Sequence, residues 1–251
     1  MHPVTIHLLP RTSPPVDLKR ATAVVIDVLR ATTTIVTALE QGADCVVPVA
    51  ELETARAIAG RLPASDVLLG GERGGRPIEG FDLDNSPCHY TRDVVAGKQI
   101  IFTTSHGTQA IDWARHAGRL LVASFSNLNA VVEQLVQAKE RVHIVCAGTD
   151  GSPSIEDSLC AAVIAGRMWE RQGTPAWPDD TTLMLLELYR AHGWTDEAER
   201  TRLLTSGRGG RRLTQLGCQA DIAWASKMNT SLLVPELDCH GEPARLVAAV
   251  R

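Results

Sequence analysis

Ala23-Val24-Val25-Ile26-Asp27-Val28-Leu29-Arg30-Ala31-Thr32-Thr33-Thr34 decides how the chain is read. An apolar, β-branched run ends in a carboxylate, passes through a short loop and enters a helical pattern reaching about Gln41, with Gly42 as its stop. The same progression recurs twice. Gln99-Ile100-Ile101-Phe102 leads through Thr103-Thr104-Ser105-His106-Gly107-Thr108 into a helix ending near Ala117. Val142-His143-Ile144-Val145-Cys146 leads through residues 147–154 into a helix from Ile155 or Glu156 to about Gln172. Short strands are expected at Cys45–Val49 and Leu120–Ser124. This alternation predicts an α/β protein, layered α/β/α, with a largely parallel or mixed sheet built from strand–loop–helix units. One domain over residues 1–251 is expected, the alternative being two lobes that meet near 130–140. Further on, Trp177–Leu204 reads as helical with Asp180 or Thr181 as its cap, and Ile222–Ala225, Ser231–Val234 and Arg245–Val250 read as short strands.

With 251 residues, 44% of them hydrophobic and 22% charged, the chain can bury a core without staples. Its six cysteines are scattered and form no Cys-x-x-Cys pair, which signals neither a zinc site nor a disulfide framework. A net charge of −4 argues against nucleic acid as a partner, although Gly71–Arg76 and Ser206–Arg212 superficially resemble Arg-Gly segments. Neither a basic-then-apolar leader nor a span-length apolar stretch is present, so a cytoplasmic protein with no membrane partner is expected. A homodimer is expected only from the prevalence of two-fold symmetry.

The segment from Gly70 to Pro87 holds five glycines, Arg73, Arg76, Glu72 and Glu79, and is expected to be an irregular, site-forming loop. Its arginines offer planar forks suited to phosphate, sulfonate or carboxylate; the bland alternative pairs them with the two glutamates. Asp27 at a strand end reads either as a Mg²⁺ ligand or phosphoryl-accepting nucleophile, or as partner of Arg30 or cap of the next helix. Thr103 to Thr108 reads as a phosphate cradle entering a helix, or as ordinary capping. His106 could exchange protons near neutral pH or simply face water. Glu156 and Asp157 could join Asp27 and Glu72 around Mg²⁺, or merely complement a helix dipole; Asp221 is a weaker candidate. Cys146 reads as a buried core thiol. Phosphate-loop, dinucleotide, zinc-protease and esterase signatures are missing.

Five ordered segments together carry a likeness. They are Val25–Thr32, Gly71-Glu72-Arg73 through Asn85-Ser86-Pro87, Thr103–Thr108, Ser124–Asn127, and Cys146–Thr149 through Glu156-Asp157. They resemble the 2-phosphosulfolactate phosphatase family over most of the chain. That resemblance implies a Mg²⁺-dependent phosphoric monoester hydrolase releasing phosphate from 2-phospho-3-sulfolactate, a small anionic phosphorylated partner. It further implies Asp27, Glu72, Glu156 and Asp157 as metal and catalytic carboxylates, and Arg30, Arg73 and Arg76 as an anion clamp. The hydroxyl loop (Thr103, Thr104, Ser105, His106, Gly107, Thr108), with Asn85, Ser86, Asn127 and Thr149, would complete substrate binding. Attack by water and attack by Asp27 both remain open. His106 stands where the family usually has Asn, and Asp84 where it has Gly. A non-catalytic anion-binding or regulatory protein on the same fold is the competing reading.

Overall fold

The computed structural model of the chain describes residues 3–10, 18–173, 178–192 and 194–248. Its strands are β1 (Val4–His7), β2 (Ala21–Ile26), β3 (Cys45–Pro48), β4 (Val67–Gly71), β5 (Gln99–Thr103), β6 (Arg119–Ala123), β7 (Arg141–Cys146), β8 (Pro235–Asp238) and β9 (Arg245–Ala248). They form one mixed sheet of order β1-β7-β2-β6-β8-β9-β3-β5-β4. Two parallel blocks, β1-β7-β2-β6 and β3-β5-β4, are joined by the hairpin β8–β9, which runs antiparallel to both neighbours. The layered α/β expectation is met, with the sheet mixed rather than wholly parallel.

The helices are α1 (Ala31–Glu40), α2 (Leu52–Ala59), α3 (Arg92–Val95), α4 (Gly107–Ala114), α5 (Leu128–Gln137), α6 (Ile155–Gln172), α7 (Asp180–His192), α8 (Glu197–Ser206), α9 (Arg208–Gln215) and α10 (Gln219–Ala225). Every residue of β2 is buried, which is why it reads as a continuous apolar run. Val24 and Ile26 enter a core shared with α5 and α6, whereas Ala23 and Val25 face a core shared with α1 and α4. That second core also takes Ile100 and Phe102 of β5, so α1 and α4 bridge the two parallel blocks. Burying an aliphatic side chain of this size is worth about 1.5–3 kcal/mol.

Strand register sets the site. Ile26 pairs with both Ala123 and Cys146, so β2, β6 and β7 end level; Gly71 pairs with Thr103, so β4 and β5 end level. Loops leaving the carboxyl ends of such strands are where ligands bind.

Several expectations are corrected. Ile222–Ala225 lies in α10, because Ile222 and Ala225 are buried three apart as a helix requires, and a short apolar run alone cannot distinguish the two. Ser231–Val234 is irregular; the strand begins at Pro235, where pairing with β9 starts. Trp177–Leu204 is two helices rather than one. They separate where Trp194 adopts φ +52° and the Asp196 carboxylate caps the second by accepting Glu199 N–H. Asp179, not Asp180 or Thr181, accepts the Thr182 amide at the start of α7. Trp177, with which that expected helix began, lies outside the described residues, as do residues 249 and 250 of the last expected strand. The glycine-rich segment is partly regular, since Gly70 and Gly71 end β4. Gly71 has φ +136°, and a Cβ there would sit 1.9 Å from the Thr103 carbonyl oxygen, so only glycine lets the strand ends close up.

Candidate active site

Two carboxylates stitch the loops together. Asp157, in the first turn of α6, accepts Val28 N–H (2.8 Å) on one oxygen and Gly148 N–H (3.0 Å) on the other, tying the end of β2 to the end of β7. Glu72, just past β4, accepts Ser105 N–H (2.7 Å) on Oε1 and Gly75 N–H (2.5 Å) plus the Ser105 hydroxyl (3.2 Å) on Oε2. It thereby clamps the glycine-rich loop onto the loop after β5.

Between these braces lies Asp27, 7% exposed. Its backbone is held by the Thr32 hydroxyl, which accepts Asp27 N–H at 3.0 Å and donates to Asp27 O at 2.9 Å. The Leu29–Arg30 peptide that follows is cis. At Gly107 an added Cβ would meet Ala31 Cβ at 2.5 Å and Asp27 Oδ2 at 2.7 Å, so glycine is what lets α4 begin against this carboxylate. Burial first, then the negative charges of Asp157 and Glu72, hold the Asp27 carboxyl well above its ordinary value, against the opposing amide of Ala31. Burial followed by the Asp157 charge pushes Glu156 up to about 7. Asp157 rises to about 6 through burial, opposed by its hydrogen bonds to Val28, Ser154 and Gly148.

Of these acids, Asp27 and Glu72 border a pocket of about 50 Å³. At ~10–15 Å³ per water centre that is room for roughly three to five waters, or a phosphate-sized anion. Asp27, Glu72, Arg30, Asn85, His106 and Thr149 line it together with Leu29, Gly74 and Gly75, and Gly209, Arg212 and Leu213 of α9 complete the wall.

The expected site residues distribute unevenly around this space. Arg30 lines it but is 3% exposed and bound to Asp221 at 2.7 Å, with a second donor on the Gly75 carbonyl. Arg73 spends its donors on the Glu72 and Ala50 carbonyls and the Thr103 hydroxyl. Arg76 is exposed and stands outside the lining. In the hydroxyl loop, Thr104 and Thr108 cap one another, Thr103 donates to Ala50 O, and Ser105 serves Glu72 and Gly74. His106 remains facing the pocket, its Nε2 accepting Asp150 N–H at 3.1 Å. Ser86 donates to Asp221 at 2.5 Å. Asn127 lies elsewhere: its side chain accepts Ser124 N–H and donates to the Val122 and Leu233 carbonyls. Arg212 and Gly209 were missed by sequence reading. Their signal was the Ser206–Arg212 cluster, which looked like an Arg-Gly tract and is instead the wall of the site.

Among the described residues no group of three or more His, Cys, Asp or Glu side chains is arranged to hold a metal ion. The braces account for this, since backbone and hydroxyl donors already occupy the oxygens of Glu72 and Asp157. Asp27 and Glu156 are less committed, and Glu156 Oε2 is buried without any hydrogen-bond partner. Such an orphaned oxygen wants a donor or a cation. Mg²⁺ keeps several waters and takes only one or two protein carboxylates, so Asp27 at the pocket, with the Glu156 charge close enough to act on it, would suit that ion better than a four-carboxylate cage.

A family model described as 2-phosphosulpholactate phosphatase matches residues 7–240. A protein of Symbiobacterium thermophilum named probable 2-phosphosulfolactate phosphatase is 41% identical over 222 residues, covering 88% of this chain and 93% of that one. Synechococcus sp. strain CC9605 has one, named likewise, 43% identical over 239 residues (94% and 95%). In Gloeobacter violaceus another with this name is 37% identical over 242 residues, 94% of each.

Proposed function

From the premise that this chain belongs to the 2-phosphosulfolactate phosphatase family, a group of phosphoric monoester hydrolases, we propose that it hydrolyses 2-phospho-3-sulfolactate to 3-sulfolactate and phosphate with the help of Mg²⁺. The observation that supports this most is Asp27 on the wall of a space that admits a phosphate-sized group, with the buried Glu156, unpartnered at Oε2, near enough for its charge to act on Asp27. Asp27 and Glu156 would hold the ion. When bound, it would neutralise charge on the phosphoryl oxygens and keep both carboxylates ionised. Glu72 and Asp157 act as braces that fix the Asp27 loop and the glycine-rich loop. Gly74, Gly75 and His106 border the phosphate space and would shape the approach of the ester for in-line attack, the two glycine amides themselves being given to Ser105 and Glu72. Asp27 acts either by attacking phosphorus itself or by orienting the attacking water.

The test is phosphate release from 2-phospho-3-sulfolactate with Mg²⁺, then with EDTA, in wild type and Asp27→Asn. Release that EDTA stops and Asp27→Asn reduces by at least about 10³-fold supports the reading. Binding without release would leave a non-catalytic anion-binding protein. A hydroxylamine-sensitive phosphoenzyme trapped during turnover selects Asp27 as nucleophile; its absence selects water.

A further inference from the structure

A substrate bearing phosphate, carboxylate and sulfonate needs positive charge beyond any metal, and the floor of this site is acidic. Two cationic side chains line the pocket among the described residues, Arg30 and Arg212. They are not equivalent. Arg30 and Asp221 have side chains only 3% and 4% exposed and touch at 2.7 Å, so Arg30 is already neutralised in a dry setting. Arg212 is 40% exposed, and its carboxylate contact is with Asp150 at 3.5 Å, itself 54% exposed. A separation and exposure of that kind leave little net attraction. Its one close bond is from Nη2 to the Gly74 carbonyl, 2.6 Å away. Asn85 lines the same space, but its buried, unpartnered Oδ1 is an acceptor that calls for a donor rather than an anion, so the anion contact falls to Arg212.

We propose that Arg212 is the residue that recognises the non-phosphate anionic arm of the substrate, and so sets preference for a sulfonated or carboxylated phosphoester over a plain alkyl phosphate. This deepens the phosphatase reading and rests on it. With phosphate over Asp27, the arm meets the wall that α9 provides, where a planar guanidinium donates to two oxygens of a carboxylate or sulfonate at once. The bond to Gly74 is then the resting arrangement, holding the fork at the pocket until an anion replaces a neutral carbonyl. Arg73 and Arg76, the more conspicuous arginines in the sequence, have no part in this contact.

Wild type, Arg212→Gln and Arg212→Lys are compared on 2-phospho-3-sulfolactate and on ethyl phosphate, which lacks both acidic groups, with calorimetric binding of 3-sulfolactate in parallel. Expected for Arg212→Gln is a loss of about 10–100-fold in kcat/KM on 2-phospho-3-sulfolactate, carried chiefly by KM, with ethyl phosphate changed by less than about threefold. Arg212→Lys restores part of the preference, which a purely structural role would not produce. An equal loss on both substrates, or none on the first, overturns the assignment. If wild type releases phosphate from neither compound, the phosphatase reading fails on its own; 3-sulfolactate binding at least about tenfold weaker in Arg212→Gln still sustains the Arg212 contact, and equal or undetectable binding overturns it. Should Arg212→Gln not fold, Arg212→Lys carries the same comparison: lowered discrimination supports the assignment and unchanged discrimination overturns it.

Discussion

Arg30 and Asp221 show how far a single residue's role depends on partners that sequence spacing hides. Lying 191 positions apart, they make a buried pair at 2.7 Å that also receives the Ser86 hydroxyl. Removing one partner strands a charge, so Asp221→Asn is expected to lower stability by about 3–5 kcal/mol in urea unfolding. Replacing both, as Arg30→Met with Asp221→Leu, is expected to recover much of that loss. Gly107→Ala drives a methyl into Ala31 and Asp27 Oδ2. It is expected to cost about 1–3 kcal/mol and to depress kcat more than its effect on melting temperature would suggest, because the displaced atom belongs to the carboxylate. From the sequence, Asp27 could be singled out because a carboxylate closing an apolar strand demands an explanation. The exclusion of Arg73 could not, because an arginine in a glycine-rich loop looks the same whether its donors face a ligand or three protein oxygens.

At the scale of elements, what was legible followed from burial pattern. The strands β2, β3, β5, β6 and β7 and the helices α1, α4 and α6 announce themselves because buried strands read as unbroken apolar runs and, after β2, β5 and β7, a loop of small, polar or charged residues leads into the helix. Elements near the C-terminal end misled because their identity comes from partners. Pro235–Asp238 is a strand only because β9 and β6 pair with it, and Ile222–Ala225 is a helix only because its apolar residues face the main core. Asn127 belongs to this scale rather than to the pocket, joining the end of β6 to the irregular segment at Leu233 that leads into β8. Asn127→Ala is expected to cost about 2–4 kcal/mol, since it leaves buried backbone groups unmet. Its KM for the phosphoester should match wild type at temperatures where it is folded; a raised KM would return Asn127 to the binding site.

For the molecule as a whole, two groups pull stability in opposite directions with pH. His7 and His143 are buried and share a hydrogen bond of 2.9 Å, and burial first, then the neighbouring ring, lowers His7 from 6.5 to about 4. Their contribution is complete above pH 6.5 and lost as pH falls toward 4, a change on the order of 3 kcal/mol for His7. Glu156 and Asp157 are raised to about 7 and about 6, so theirs is complete below about pH 4 and lost as pH rises to 7. Between about pH 4 and 7 the two contributions therefore oppose one another, and Mg²⁺ should raise the melting temperature more at pH 8 than at pH 5.5. An equal shift at both pH values would count against a metal on the carboxylates. One further consequence follows from the hairpin β8–β9 at the centre of the sheet. During synthesis both parallel blocks leave the ribosome before the strands that join them exist. At ~5–20 residues per second, β6 waits on the order of ten seconds for its neighbour β8. Over that interval the nascent chain presents two naked sheet edges, one on each half, that fit each other's sister molecules as well as the missing hairpin, making crowded polysomes the setting in which this fold is most exposed to tangling.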